Sequence, residues 1–101
     1  MIRFDVVADN RSVPMSIDFR YVSVDGRRMT IAYLYDNEMN DCFVGSCVLD
    51  SRDRDNKEVA RKTAMKNLMN SVNLSREIRT QIWRGYFNRS PKYKMRLTAA
   101  L

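Results

Sequence analysis

Apolar and polar residues alternate along the first half of the chain and recur every three to four positions along much of the second. Alternation puts successive side chains on opposite faces of a strand, whereas the longer period gathers apolar side chains on one side of a helix. Residues 2–8 (Ile-Arg-Phe-Asp-Val-Val-Ala) read as a first strand and Asp9 to Pro14 as a loop. Residues 15–24 read as a full strand, with Met15, Ile17, Phe19 and Tyr21 pointing one way and Ser16, Asp18 and Arg20 the other. Asp25-Gly26 is a hairpin signal, because a type I′ turn needs positive φ at both central residues. The return strand is 27–35, with Met29, Ile31, Tyr33 and Tyr35 on one face. An acidic loop from Asp36 to Asp41 leads to a fourth strand over 42–49. The pattern predicts an antiparallel β-meander of three to four strands with one face covered.

Beyond residue 50 the period becomes helical. Asp55 as N-cap with Glu58 three residues on resembles a capping box, and the spacing predicts a helix to about Val72. Asn73 and Leu74 make a break. Ser75 caps a second helix of about 76–88, Glu77 suits its first turn, and Ser90-Pro91 ends it. Gly85 in that helix costs about 1 kcal/mol relative to alanine, and marks either close backbone approach or an early end. The fold class is α+β: a β-meander followed by two α-helices in one domain over 1–101. Its parts are a sheet over 1–50, a helical pair over 55–89 and a basic tail over 90–101. With 101 residues there is room for one core, and packing against a second copy would add stability.

Composition excludes several chemistries. The chain has no histidine, which removes His-based acid–base work, Ser-His and Cys-His nucleophile pairs and His-containing zinc sites. Two cysteines cannot complete a tetrahedral zinc site, and there is no glycine-rich phosphate loop. Asp50, Asp53 and Asp55 lack the glycine and closing glutamate of a calcium loop. No metal, cofactor or catalytic residue is expected. Cys42 and Cys47 stand at positions of opposite parity on one strand, so they face apart and do not bridge, as expected in a reducing compartment. No apolar run reaches the ~18 residues of a membrane span, and the N-terminus lacks a signal-peptide pattern. A cytoplasmic location without membrane contact is expected.

Charge is unevenly distributed. Residues 1–50 hold five basic and eight acidic residues, a net of −3, whereas residues 51–101 hold 13 basic and four acidic, a net of +9. Such asymmetry fits a positive face for an anion, complementary surfaces in an oligomer, or a solvated basic helix surface.

Three arginines fall on apolar sides when residues are placed at the helical repeat of about 100°. In the first helix Ala60, Ala64, Met65, Leu68 and Val72 make a stripe that includes Arg61, with Lys57 at its edge; Lys62, Lys66 and Asn70 lie opposite. In the second, Ile78, Ile82, Trp83, Tyr86 and Phe87 define the apolar side. Arg79 and Arg89 share it, and Arg76, Glu77, Thr80, Gln81 and Arg84 face away. An arginine there can snorkel to water, pair with an acidic residue of the sheet or of a second subunit, or line an anion pocket. In the last case its planar fork suits phosphate, and Trp83, Tyr86 or Tyr93 would stack on a ring. The exposed set Lys57, Lys62, Lys66, Arg76, Arg84, Lys92, Lys94 and Arg96 fits contact with a nucleic-acid backbone instead.

The stretch Glu58-Val59-Ala60-Arg61-Lys62-Thr63-Ala64, with Arg76-Glu77-Ile78-Arg79 and Ile82-Trp83 followed by Tyr86, resembles small uncharacterised phage proteins. The meander-then-helices order is similar to the phage Thoeris anti-defence proteins. That resemblance implies a homo-oligomeric sponge that sequesters cyclic ADP-ribose or cyclic oligonucleotide signals without cleaving them, with ligand pockets between subunits. Arg61 and Arg79 would hold phosphate, Trp83 or Tyr86 would stack on a base, and Lys57 and Arg89 would add charge. The departures are the short C-terminus and the lack of a diagnostic motif in residues 1–50. The first expectation is therefore a non-enzymatic, phage-type nucleotide-binding protein. The alternative is a nucleic-acid-binding or anti-CRISPR-type inhibitor that uses Lys62, Lys66, Arg76, Arg84, Lys92 and Lys94, with nucleic acid or a host defence protein as partner. A third is an adaptor whose charged halves meet across a symmetric interface.

Overall fold

The structure is a computed structural model and describes residues 1–48 and 57–88. Four antiparallel strands, β1 (Ile2–Ala8), β2 (Arg11–Val24), β3 (Arg27–Asp36) and β4 (Asp41–Val48), lie side by side in chain order. Helices α1 (Lys57–Ser71) and α2 (Arg76–Phe87) follow, which makes the α+β meander-and-helix-pair architecture that the sequence predicts. The predicted Asp55 cap and Ser90-Pro91 stop lie outside the described residues, as does the basic tail.

The turns follow from backbone chemistry. Asp25 and Gly26 take φ of 51° and 76°, as a type I′ hairpin requires. Asp9 and Asn10 do the same at 52° and 62°, so they are a second two-residue turn. The expected loop over 9–14 is thus a correction: β2 resumes at Arg11, and Ser12, Val13 and Pro14 pair with Val7, Val6 and Asp5. Pro14 is tolerated because its carbonyl, which accepts from the Asn37 amide at 3.0 Å, points past the end of β3. Its nitrogen points the same way, so the ladder to β1 loses no bond. In the third turn Asp36 Oδ1 accepts from the amides of Glu38 (3.0 Å) and Met39 (3.1 Å), and Arg11 pairs with Glu38.

Both helices cover one face of the sheet. Met15, Ile17, Ala32 and Leu34 are buried there beneath Ala64, Met65, Leu68, Ile82 and Tyr86. The register pairs Ile17 with Leu34, Phe19 with Ala32 and Tyr21 with Thr30. Met29, Ile31, Tyr33 and Tyr35 do share a face, but it is the outer one. β3 is apolar on both sides, so alternation alone could not choose between them. Cys42 lies outward and exposed and Cys47 inward, and both are free.

Small residues set the helix spacing. A Cβ on Gly45 would run into the backbone of Leu68, so α1 lies directly on β4. A Cβ on Gly85 would stand 2.6 Å from the Phe4 ring, so of the two readings of this glycine, close approach holds. Each helix also places one side chain on a sheet edge. The Gln81 side chain accepts from the Val7 amide (2.7 Å) and donates to the Val7 carbonyl (2.8 Å), as a neighbouring strand would. Asn67 Nδ2 donates to the Ser46 carbonyl on β4 (2.8 Å). Among the described residues no helix is long and apolar enough to cross a membrane.

Candidate functional site

α2 starts as predicted, with the Ser75 hydroxyl accepting from the Ile78 amide at 3.3 Å. Its period then brings Trp83 and Phe87, four residues apart, onto one side. Their rings stack at 5.7 Å between centroids and 23° between planes. Tyr86 beneath them is fully buried and meets Trp83, Phe87 and Phe19 edge-on at 5.8, 5.3 and 5.9 Å. Its hydroxyl donates to Glu58 Oε1 at 3.3 Å, which ties the end of α2 to the start of α1. Tyr86 is therefore the base of an aromatic cluster, and Trp83 and Phe87 are its outward surface, with Phe87 38% exposed.

Lys62 and Lys66, one turn apart on α1, border this surface. With Thr63, Trp83 and Phe87 they line an open hollow of about 320 Å³. The Lys62 ammonium stands 5.4 Å from the centre of the Phe87 ring. The hollow thus joins two near-parallel aromatic rings to two exposed cations. The sequence reading set Lys62 and Lys66 apart from Trp83, because they lie on opposite sides of their own helices from each other's viewpoint. The fold brings them together because the end of α2 meets the start of α1, where Tyr86 bonds Glu58 and Lys62 stands by Phe87. Phe87 and Thr63 were not expected in a site; the i, i+4 spacing of Trp83 and Phe87 was the available signal.

Arg61 has a different setting. Its guanidinium donates to Glu58 Oε2 at 3.0 Å and to the Tyr21 hydroxyl at 3.2 Å, and Nε is buried without a partner. Burial pulls its pKa down, but the hydrogen bonds it donates to Glu58 and Tyr21 outweigh it, and the net shift is upward. Of the three arrangements expected for this arginine, an acidic partner is the one formed, though Glu58 belongs to its own helix rather than to the sheet or a second subunit. Lys57 stands over the Tyr21 ring at 5.6 Å, on the same side of the molecule.

Arg79 is exposed, although the helical repeat sets it on the side of Ile82, Trp83 and Tyr86. It also lies seven residues before Tyr86, about 10 Å along the helix at the usual rise, so it is not beside Arg61. Arg76 and Arg84 line another hollow, of about 670 Å³, with Glu77, Thr80, Gln81 and Val7 beside β1. Arg89, Lys92, Lys94 and Arg96 lie outside the described residues. Among the described residues no group of three metal-ligating side chains occurs.

No protein family, no curated protein and no solved structure matches the chain.

Proposed function

We propose that the protein is a non-catalytic binder of single-stranded nucleic acid, which it holds on the helix layer by stacking a base on Trp83 and Phe87 while Lys62 and Lys66 meet the flanking phosphates. The observation that carries this reading is the aromatic platform with two lysines at its rim. Bases stack on such platforms whatever their identity, at about 1–3 kcal/mol each, and lysines supply salt-dependent backbone contact. The surroundings have the right sign, since residues 57–88 carry seven basic and two acidic side chains. An open hollow of about 320 Å³ fits one base of a continuing strand better than an enclosed small ligand. Sequestration of a cyclic nucleotide by Arg61 and Arg79 draws less support, because the first is taken up by Glu58 and Tyr21 and the second lies away from it.

Trp83 is the sole tryptophan, so its fluorescence reports stacking directly. Titration with oligothymidylate at low salt should quench it, and added salt should reverse the effect. Phe87→Ala and the pair Lys62→Glu, Lys66→Glu should each weaken binding at least about tenfold, with Arg79→Ala close to wild type. Absence of quenching at 50 mM salt would sink the proposal. Tight, salt-insensitive binding of cyclic ADP-ribose or a cyclic dinucleotide would replace it with the sequestration reading.

A further inference from the structure

The outer face of the sheet is uncovered by any described residue, yet it is not a polar face. Val22, Val24, Val44 and Val48 are 39%, 45%, 51% and 51% exposed. Between them runs the row from Met29 to Tyr35 on β3, where Tyr33 and Tyr35 stack at 6.2 Å. A one-layer antiparallel sheet ordinarily turns polar residues to water. We propose that this face is where two copies of the chain pack, sheet against sheet about a two-fold axis, with both helix layers turned outward.

Four observations select a second copy as the occupant. The valines and the Met29–Tyr35 row form a continuous apolar strip across β2, β3 and β4, the kind of surface from which a stable interface of ~800 Å² per partner is built. The face is self-complementary in charge: Asp18 and Arg20 sit side by side on β2, next to Tyr33 and Ile31. Their mutual contact is loose, at 3.7 Å, and the Arg20 side chain is 71% exposed. A two-fold axis through this region brings each Arg20 toward the other copy's Asp18, as an isologous interface requires. The edges offer no alternative at their plugged positions, since Gln81 occupies Val7 and Asn67 occupies Ser46. The helix layer offers none either, because its excess of positive charge repels a second such layer.

Sedimentation equilibrium of the full chain tests this. Wild type should have the mass of a dimer at 10–100 μM, roughly the range in which modest interfaces form. Val44→Lys and Val22→Lys, on different strands and at exposed positions, should each raise the dimer dissociation constant by about 100-fold or more while circular dichroism stays native. Arg20→Glu should weaken the dimer about tenfold, and adding Asp18→Lys should restore most of the loss, since the swapped charges again complement across the axis. A wild type that stays monomeric at 100 μM overturns the proposal. So does a dimer that survives both lysine variants, because its interface must then lie elsewhere. Neither result depends on the nucleic-acid reading, which the Trp83 titration decides separately.

Discussion

Gly45 and Gly85 each let another group come closer than a side chain would allow, but they differ in what can yield. At Gly45 the obstacle is the backbone of Leu68, which moves only if α1 lifts from β4. At Gly85 it is the Phe4 ring, part of a half-buried side chain that can swing aside. Gly45→Ala should therefore cost more than about 3 kcal/mol, at the upper end for overpacking. Gly85→Ala should cost roughly 1–2 kcal/mol, because alanine returns about 1 kcal/mol of helix propensity against the strain. Urea unfolding of the two variants measures the difference, and an equal loss would contradict this account. Arg61→Ala should lose about 1–2 kcal/mol through its bonds to Glu58 and Tyr21, with Arg61→Lys recovering only part because one nitrogen replaces the two that reach these partners separately. The same titration of Trp83 should be unchanged in Arg61→Ala. From sequence Arg61 stood out correctly as a charge within an apolar stripe. Its Glu58 partner at i−3 was open to the helical spacing, whereas Tyr21, forty residues away, becomes a neighbour only when the helix packs on the sheet. Arg79 shares the helical side of Tyr86, seven residues on, yet stands in water near the start of α2 while Tyr86 is buried at its end.

The strands and helices were legible wherever one face carries apolar residues and the other does not. β2 reads correctly from Met15 to Tyr21, and the Asp25-Gly26 and Ser75 signals act through local geometry that needs no tertiary contact. β3 failed the same test. Its inner face uses Thr30, Ala32 and Leu34, small enough for α1 to come close, and its outer face holds the larger Ile31, Tyr33 and Tyr35. Size does not identify the inner face, and only the pairing of Ile17 with Leu34 decides the matter. The edge plugs were also illegible, since Gln81 looks like any polar helix residue until α2 meets β1. They make a prediction about the sheet as an element. In Gln81→Ala the Val7 amide loses its partner, so its hydrogen exchange should accelerate by about tenfold or more while core amides on β2 and β3 keep most of their protection. The loss in global stability should be only about 1 kcal/mol, because both bonds lie at the surface. Freed of its plug, β1 also becomes a template for strand addition, and light scattering at high concentration should rise relative to wild type. Unchanged exchange at Val7 would mean that the side-chain amide does not hold the edge in solution.

On the scale of the molecule, charge follows layer. The strands and their turns, residues 1–48, hold five basic and seven acidic side chains, and the helices hold seven and two. A polyanion of the kind proposed would thereby meet the molecule on one side. If Lys62 and Lys66 each neutralise a phosphate, replacing both with glutamine should flatten the slope of log K against log salt by about 1.4, since each single-strand contact contributes about 0.7. A slope left unchanged would place the phosphates elsewhere, with Arg76 and Arg84 as the next cations to replace. The two proposed surfaces lie on opposite sides of the sheet, and this has a consequence that neither has alone. A sheet-to-sheet dimer carries its two hollows facing away from each other, too far around the molecule for one short strand to reach both. It should therefore hold two separate strands at once. Two oligonucleotides labelled with a donor and an acceptor dye should show energy transfer in the presence of wild type. Val44→Lys should abolish the transfer yet quench Trp83 with an affinity within about threefold of wild type, because each hollow is complete within one chain. The converse pair, Lys62→Glu with Lys66→Glu, should lose both signals while sedimenting as a dimer. If Val44→Lys instead lost strand binding together with dimerisation, the hollow would have to be built by both copies, and the two surfaces would not be independent.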